Sequence, residues 1–147
     1  MRAFFTVAGL ALVLAGCSGA KPEESGASEQ AAAPEVSAAP VAYASLTGDA
    51  AKGEKLFMQC KACHAIEPGK NIIGPSLHGV VGRTAGQVPG FNYSPANKAS
   101  GEVWSEDHLY AFIEAPQKVI PGTRMAYFGM RKPQDRADLI AYLKTVK

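Results

Sequence analysis

"CKACH", residues 60–64, sets two thiols three positions apart with an imidazole directly behind the second. No other stretch constrains the fold as much, because the rest of the chain must enclose whatever this one binds. Three chemistries use such a grouping: a structural zinc site, a dithiol redox couple, and covalent attachment of haem. A structural zinc needs four ligands, usually as two close pairs. This chain has a single close Cys pair and, besides His64, only His78 and His108. A redox dithiol opens a helix after a strand in a βαβ setting. Here a helical pattern precedes the motif and no convincing strand pair is present. In C-x-x-C-H the thiols add across the haem vinyl groups and fix the histidine beneath the iron. Cys60 and Cys63 are therefore read as the attachment points of one haem c, through two thioether bonds, with His64 as an axial ligand.

The third cysteine, Cys17, has a different setting. One arginine and an apolar run of about a dozen residues open the chain, the length of a signal peptide. A membrane-spanning helix needs ~20 such residues. The run ends in "LAGC", which resembles the bacterial lipoprotein box, where the cysteine thiol is lipidated and becomes the new N-terminus. The expected organisation is a signal peptide over 1–16, a lipidated N-terminus and flexible tether over 17–45, and a domain over 46–147. That organisation places the protein in a bacterial periplasmic space, anchored to a membrane by lipid on Cys17. The tether is rich in Ala, Ser, Pro and Glu, with almost nothing to bury. Its root-mean-square reach is roughly 30 Å.

The domain carries thirteen Lys and Arg against nine Asp and Glu. So mild an excess, with no basic-aromatic stripe, does not suggest nucleic acid. It suits transient docking on an acidic protein surface.

The coarse pattern is mostly helical. "GDAAKGEKLFMQ" predicts a helix running into the motif, with Thr47 or Gly48 at its cap and Asp49 in its first turn. Gly53 within it costs ~1 kcal/mol relative to Ala, which close approach of another helix would offset. Residues 66–101 are Gly- and Pro-rich without period, as expected of loops wrapped around a large cofactor. "WSEDHLYAFIEAP" predicts a helix capped by Ser105 and ended by Pro116, with Leu109, Phe112 and Ile113 facing inward. "KPQDRADLIAYLKTVK" predicts a last helix with Pro133 at its first position.

A thioether opposite His64 would raise the reduction potential. Met1 leaves with the signal, and Met58 sits on the same helix as the motif. Met125, presented by the turn in "PGTRM", is the expected sixth ligand, with Met130 assigned to the core and His78 as the rival ligand.

The stretches "GDAAKGEKLF", "CKACH", "GPSLHGVVGR", "PGFNYSPANK", "VWSEDHLY", "IPGTRMAY" and "ADLIAYLK" follow one another in an order that resembles class I cytochrome c, mitochondrial-type and bacterial soluble forms alike. The resemblance covers 46–147 and implies an all-α class I cytochrome c fold, a few helices and long loops around one haem. It implies that the Pro75 carbonyl holds the His64 ring. It places Arg83, Tyr93, Ser94, Asn97, Trp104 and Thr123 around the haem propionates. It brings Gly53 and Phe57 against the last helix near Leu139 and Tyr142. Lys61, Lys118, Arg124, Arg131 and Lys132 are the expected basic docking rim. Four positions depart from the family pattern. Phe112 stands where mitochondrial proteins have a tyrosine bonded to the methionine sulfur, and Tyr127 replaces a phenylalanine over the haem edge. Gln59 and Gln117 occupy positions often held by docking lysines.

The resemblance implies an electron carrier, not an enzyme. Its family partners are a quinol:cytochrome c reductase as donor and a terminal oxidase or photosynthetic reaction centre as acceptor. The carrier is expected to act as a monomer. A peroxidase or gas-reactive haem protein needs a vacant or labile sixth position, against which "PGTRM" argues. A haem-bearing assembly factor would exchange electrons slowly with reductase and oxidase.

Overall fold

Asp49 starts the first helix by accepting hydrogen bonds from the backbone N–H groups of Ala51 and Lys52 at 2.9 and 3.2 Å. The computed structural model describes residues 41–147; the expected signal peptide, Cys17 and most of the tether lie outside them. Within that span a 3₁₀ turn, Tyr43–Ser45, precedes five helices: α1 (Ala50–Phe57), α2 (Pro95–Ala99), α3 (Glu106–Glu114), α4 (Pro116–Val119) and α5 (Pro133–Leu143). Among the described residues there is no strand beyond one isolated bridge, Thr84 with Val103, and no helix is long and apolar enough to cross a membrane.

The cap of α1 falls one or two residues later than the sequence suggested. Gly48 lies so close to α5 that a Cβ there would collide with the Ala137 carbonyl. The chain therefore stays extended until Asp49, whose own N–H donates to Asp138 Oδ1 at 2.8 Å. The crossing continues at Gly53, buried, where a Cβ would collide with the Asp138 carbonyl. Phe57 and Tyr142 pack with ring centroids 5.4 Å apart. Leu139 and Ile140 are fully buried, each contributing about 1.5–3 kcal/mol. The glycine unfavourable to an isolated helix is what lets α1 and α5 meet.

Ser105 caps α3 as expected, its hydroxyl accepting from the His108 N–H at 3.1 Å. Pro116 both follows the end of α3 and opens α4. Ala115 breaks the helix at φ −151°, and proline is then favoured at a new first position. A second helix inside the irregular middle, α2, was not anticipated. Ser94 caps it through the Asn97 N–H at 3.2 Å, with Pro95 at its first position.

Val41–Ser45, assigned by composition to the tether, pack against the domain. Tyr43, the one aromatic side chain of residues 18–45, lies against Tyr110 with centroids 5.5 Å apart. Its hydroxyl donates to Glu106 Oε2 at 2.5 Å, while Lys144 Nζ lies 2.7 Å from Glu106 Oε1. The Tyr110 hydroxyl in turn donates to the Val41 carbonyl at 3.0 Å. Tyr43 supplies a large, partly buried ring that the Ala-, Ser- and Pro-rich chain before it lacks.

Candidate functional site

Helical turns continue past α1 into the motif. Cys60 donates its N–H to the Phe57 carbonyl at 2.8 Å, and His64 donates to the Cys60 carbonyl at 2.9 Å. A spacing of four in such turns sets Cys60 and His64 side by side. Neither Cys60 nor Cys63 is in a disulfide. Burial chiefly, and then the neighbouring Cys63, pushes the Cys60 thiol up to about 11. Until haem is attached, it is therefore a protonated thiol at neutral pH.

His64 is fixed from behind. Its Nδ1–H donates to the Pro75 carbonyl at 2.8 Å, which leaves Nε2 free to bind a metal. Gly74 lies against the ring so closely that a Cβ would enter it. Burial lowers the imidazole pKa, outweighing the Pro75 bond that raises it. The ring is thus held neutral, the form that binds a metal.

These groups open onto a cavity of about 380 Å³. Its walls are largely apolar: Phe57, Leu77, Val80, Leu109, Phe112, Ile113, Leu139 and Leu143. The sequence-predicted residues come together around it. Cys60, Cys63, His64 and Pro75 line the cavity, as do Arg83, Tyr93, Ser94, Asn97, Trp104, Thr123 and Met125. His78, the rival ligand, is not among the lining residues; its carbonyl instead accepts from Arg83. Met130 is buried in the core. Ile73, exposed yet lining the cavity mouth, was overlooked. Its only signal was an apolar pair immediately before "GP".

The polar lining fits a flat apolar cofactor that carries carboxylates at one side. Arg83 donates to the carbonyls of His78 and Ser76 at 2.8 and 2.9 Å, yet makes no ion pair among the described residues. A half-buried cation without a counter-ion favours an anion beside it. Thr123 Oγ1 accepts from Asn97 Nδ2 at 3.3 Å and from the Met125 N–H at 3.4 Å, leaving its own proton to donate. Asn97 Oδ1 is buried without a partner. Turning that amide over would present its N–H₂ to a carboxylate and its oxygen to Thr123. The residues present therefore suit a haem with its propionates on the Arg83, Asn97 and Thr123 side.

A family profile described as Cytochrome c matches residues 50–147. The chain belongs to the cytochrome c family. It is 54% identical over 101 residues to cytochrome c2 of Rhodopila globiformis, spanning 68% of this chain and 95% of the relative. To cytochrome c of Arabidopsis thaliana it is 50% identical over 106 residues, 71% of this chain and 95% of that one. Among solved structures, cytochrome cH from Methylobacterium extorquens superposes with a TM-score of 0.64 at 48% identity, covering 67% of this chain and 99% of that one. As a cytochrome c, the protein is a monohaem electron-transfer protein and not an enzyme, with one covalently attached haem c at Cys60 and Cys63. The haem supplies the one-electron exchange; the chain supplies covalent attachment and burial.

All five residues expected at the docking rim, Lys61, Lys118, Arg124, Arg131 and Lys132, are exposed. Arg124 also lines the cavity and donates to the Asn92 carbonyl at 3.1 Å. The two glutamines at lysine positions engage neighbours. Gln117 Nε2 donates to the Thr123 carbonyl at 2.7 Å, and Gln59 Oε1 accepts from the Tyr127 hydroxyl at 3.3 Å.

Proposed function

We propose that this cytochrome c holds its iron between His64 and Met125 and shuttles electrons from a quinol:cytochrome c reductase to a terminal oxidase or photosynthetic reaction centre. One observation carries the ligation. Met125 lines the same cavity as His64, on a loop whose neighbouring residue, Thr123, is bonded to Asn97 in the polar part of the lining. With His64 and Met125 both holding the iron, no position would be left there for a substrate, and the apolar walls would keep water from it. The basic rim of Lys61, Lys118, Arg124, Arg131 and Lys132 steers the docking, and the protein works as a monomer.

Lipid on Cys17 holds the carrier at a membrane in a bacterial periplasmic space. The "LAGC" run and the Glu- and Ala-rich chain after it support this placement. A tether raises the effective concentration of membrane-bound partners.

The ferric protein tests the ligation through the weak red charge-transfer band of an iron–thioether bond. The band should be present, should vanish in Met125→Leu, and the reduced wild type should bind no carbon monoxide. A ferric spectrum without the band would reject Met125. The intact mass of protein extracted from membranes tests the anchor. Residues 17–147 with one haem and a diacylglyceryl group are expected, and a shorter chain without lipid would reject it.

A further inference from the structure

We infer that Gln117 and Gln59 are positioning residues that clamp the Met125 loop from its two sides. The inference rests on Met125 being the sixth ligand. Between α4 and α5 the chain forms no helix or strand. Thr123 donates its N–H to the Ile120 carbonyl and Met130 donates to the Ile113 carbonyl, but residues 124–129 take part in no backbone–backbone hydrogen bond. Downstream the loop is pinned at Gly129, where φ is +99° and a Cβ would collide with the Glu114 carbonyl. Over the stretch that carries Met125, side chains do the holding.

Gln117, on α4, donates to the Thr123 carbonyl at 2.7 Å, two residues before Met125. Gln59, one residue before Cys60, accepts the Tyr127 hydroxyl at 3.3 Å, two residues after Met125. The two bonds straddle the methionine and tie it to opposite parts of the chain. A lysine at 59 could not accept that hydroxyl proton, because an ammonium has no acceptor. The tyrosine at 127 and the glutamine at 59 thus work as a pair. The clamp also answers the change at 112: the Phe112 ring lines the cavity with no hydroxyl to offer the sulfur, so the loop itself must keep Met125 in place.

The test is imidazole binding to the ferric holoprotein, which requires Met125 to swing away, read by rate and by loss of the charge-transfer band. Gln117→Leu should raise the rate about five- to tenfold, as expected for loss of one net hydrogen bond that holds the closed loop. Tyr127→Phe and Gln59→Leu should each raise it about twofold, because their bond is longer and exposed. The double variant Tyr127→Phe/Gln59→Leu should bind no faster than either single one, the mark of a shared bond. Denaturation midpoints should fall only by the loss of that one bond, as expected when the loop loosens and the rest of the fold stays intact. A wild type lacking the band would reject Met125 as ligand. A wild type with the band, whose Gln117→Leu and Tyr127→Phe variants bind imidazole at the parent rate, would overturn the clamp alone.

Discussion

His64 follows α1 almost without interruption, each turn bonded backbone to backbone, with Gly74 flat against the imidazole and the Pro75 carbonyl behind it. Met125 belongs to a loop whose middle has no backbone–backbone bonds and which is held through Gln117, Arg124, Thr123 and Tyr127. One cavity thus has two walls built on different physics. Backbone bonds in consecutive turns open together, so the His64 wall yields only when α1 does. Side-chain bonds break one at a time, and each loss frees a segment while the rest stays folded. A covalently attached cofactor needs the first kind of wall where its thioethers and, on the proposed ligation, its fixed ligand are. The second kind suits the side from which a ligand can be exchanged.

The largest break in this contrast is Gly74→Ala. A methyl there would occupy the space of the His64 ring, and neither the ring nor the backbone bonded to Cys63 can give way cheaply. Overpacking costs about 1–3 kcal/mol, and a methyl set within the ring falls at the upper end of that range. Holoprotein yield should fall several-fold, with the remainder less stable in a denaturant melt. If Gly74→Ala matures and melts like the parent, the His64 wall is softer than its bonding implies.

Arg136→Met probes the other wall. The Arg136 side chain is buried, donates to the carbonyls of Met130 and Arg131 at 2.8 and 2.9 Å, and pairs with Glu114 at 3.0 Å. Its guanidinium also lies 4.0 Å from the centre of the Tyr110 ring. Removing it should cost about 2 kcal/mol, since two carbonyls lose their partners while Glu114 remains able to reach water. Because the loss falls at the downstream end of the loop, imidazole binding should quicken as well. Lower stability without faster binding would mean that the Gln117 and Tyr127 bonds suffice by themselves.

Local patterns in the sequence were enough for α1, α3 and α5. Ser105 before two acidic residues, Pro133 at a helix start and a glycine on the inward face of α1 each have one dominant physical reading. All three are found in that role. Two punctuation marks also open helices that the apolar pattern did not show. "SP" at 94–95 opens α2, though five residues are too few to show an apolar period, and Pro116 starts α4 as well as following α3. The motif and Met125 could be argued from the residues themselves. The Arg83, Tyr93, Ser94, Asn97, Trp104 and Thr123 side of the cavity came only through family resemblance, since no spacing rule joins loop residues so far apart. The loop clamp was invisible for the same reason: Gln59 and Tyr127 are separated by 68 positions. Glutamine carries no pattern until its partner is placed.

The junction with the tether offers the smallest and most selective test, because it touches neither wall. Tyr43→Phe removes the hydroxyl donated to Glu106 and keeps the ring on Tyr110. Screening at this partly exposed site limits the cost to about 1 kcal/mol or less. Its pH dependence follows from two opposed shifts. The bonds from Lys144 and then Tyr43 lower the Glu106 pKa, so their stabilisation is present above the ordinary carboxylate value near ~4.3 and is lost as pH falls through the lower folded value. Burial first, then the Glu106 bond and charge, raises the Tyr43 pKa. That contribution is complete below about pH 10 and declines as pH rises towards the folded value. The stability gap between parent and Tyr43→Phe should therefore be flat through the neutral range and close at both extremes. The iron–methionine band should be the same in parent and variant at neutral pH. If Tyr43→Phe instead weakens that band, residues 41–45 are coupled to the Met125 loop, and the tether junction has to be counted as part of the softer wall.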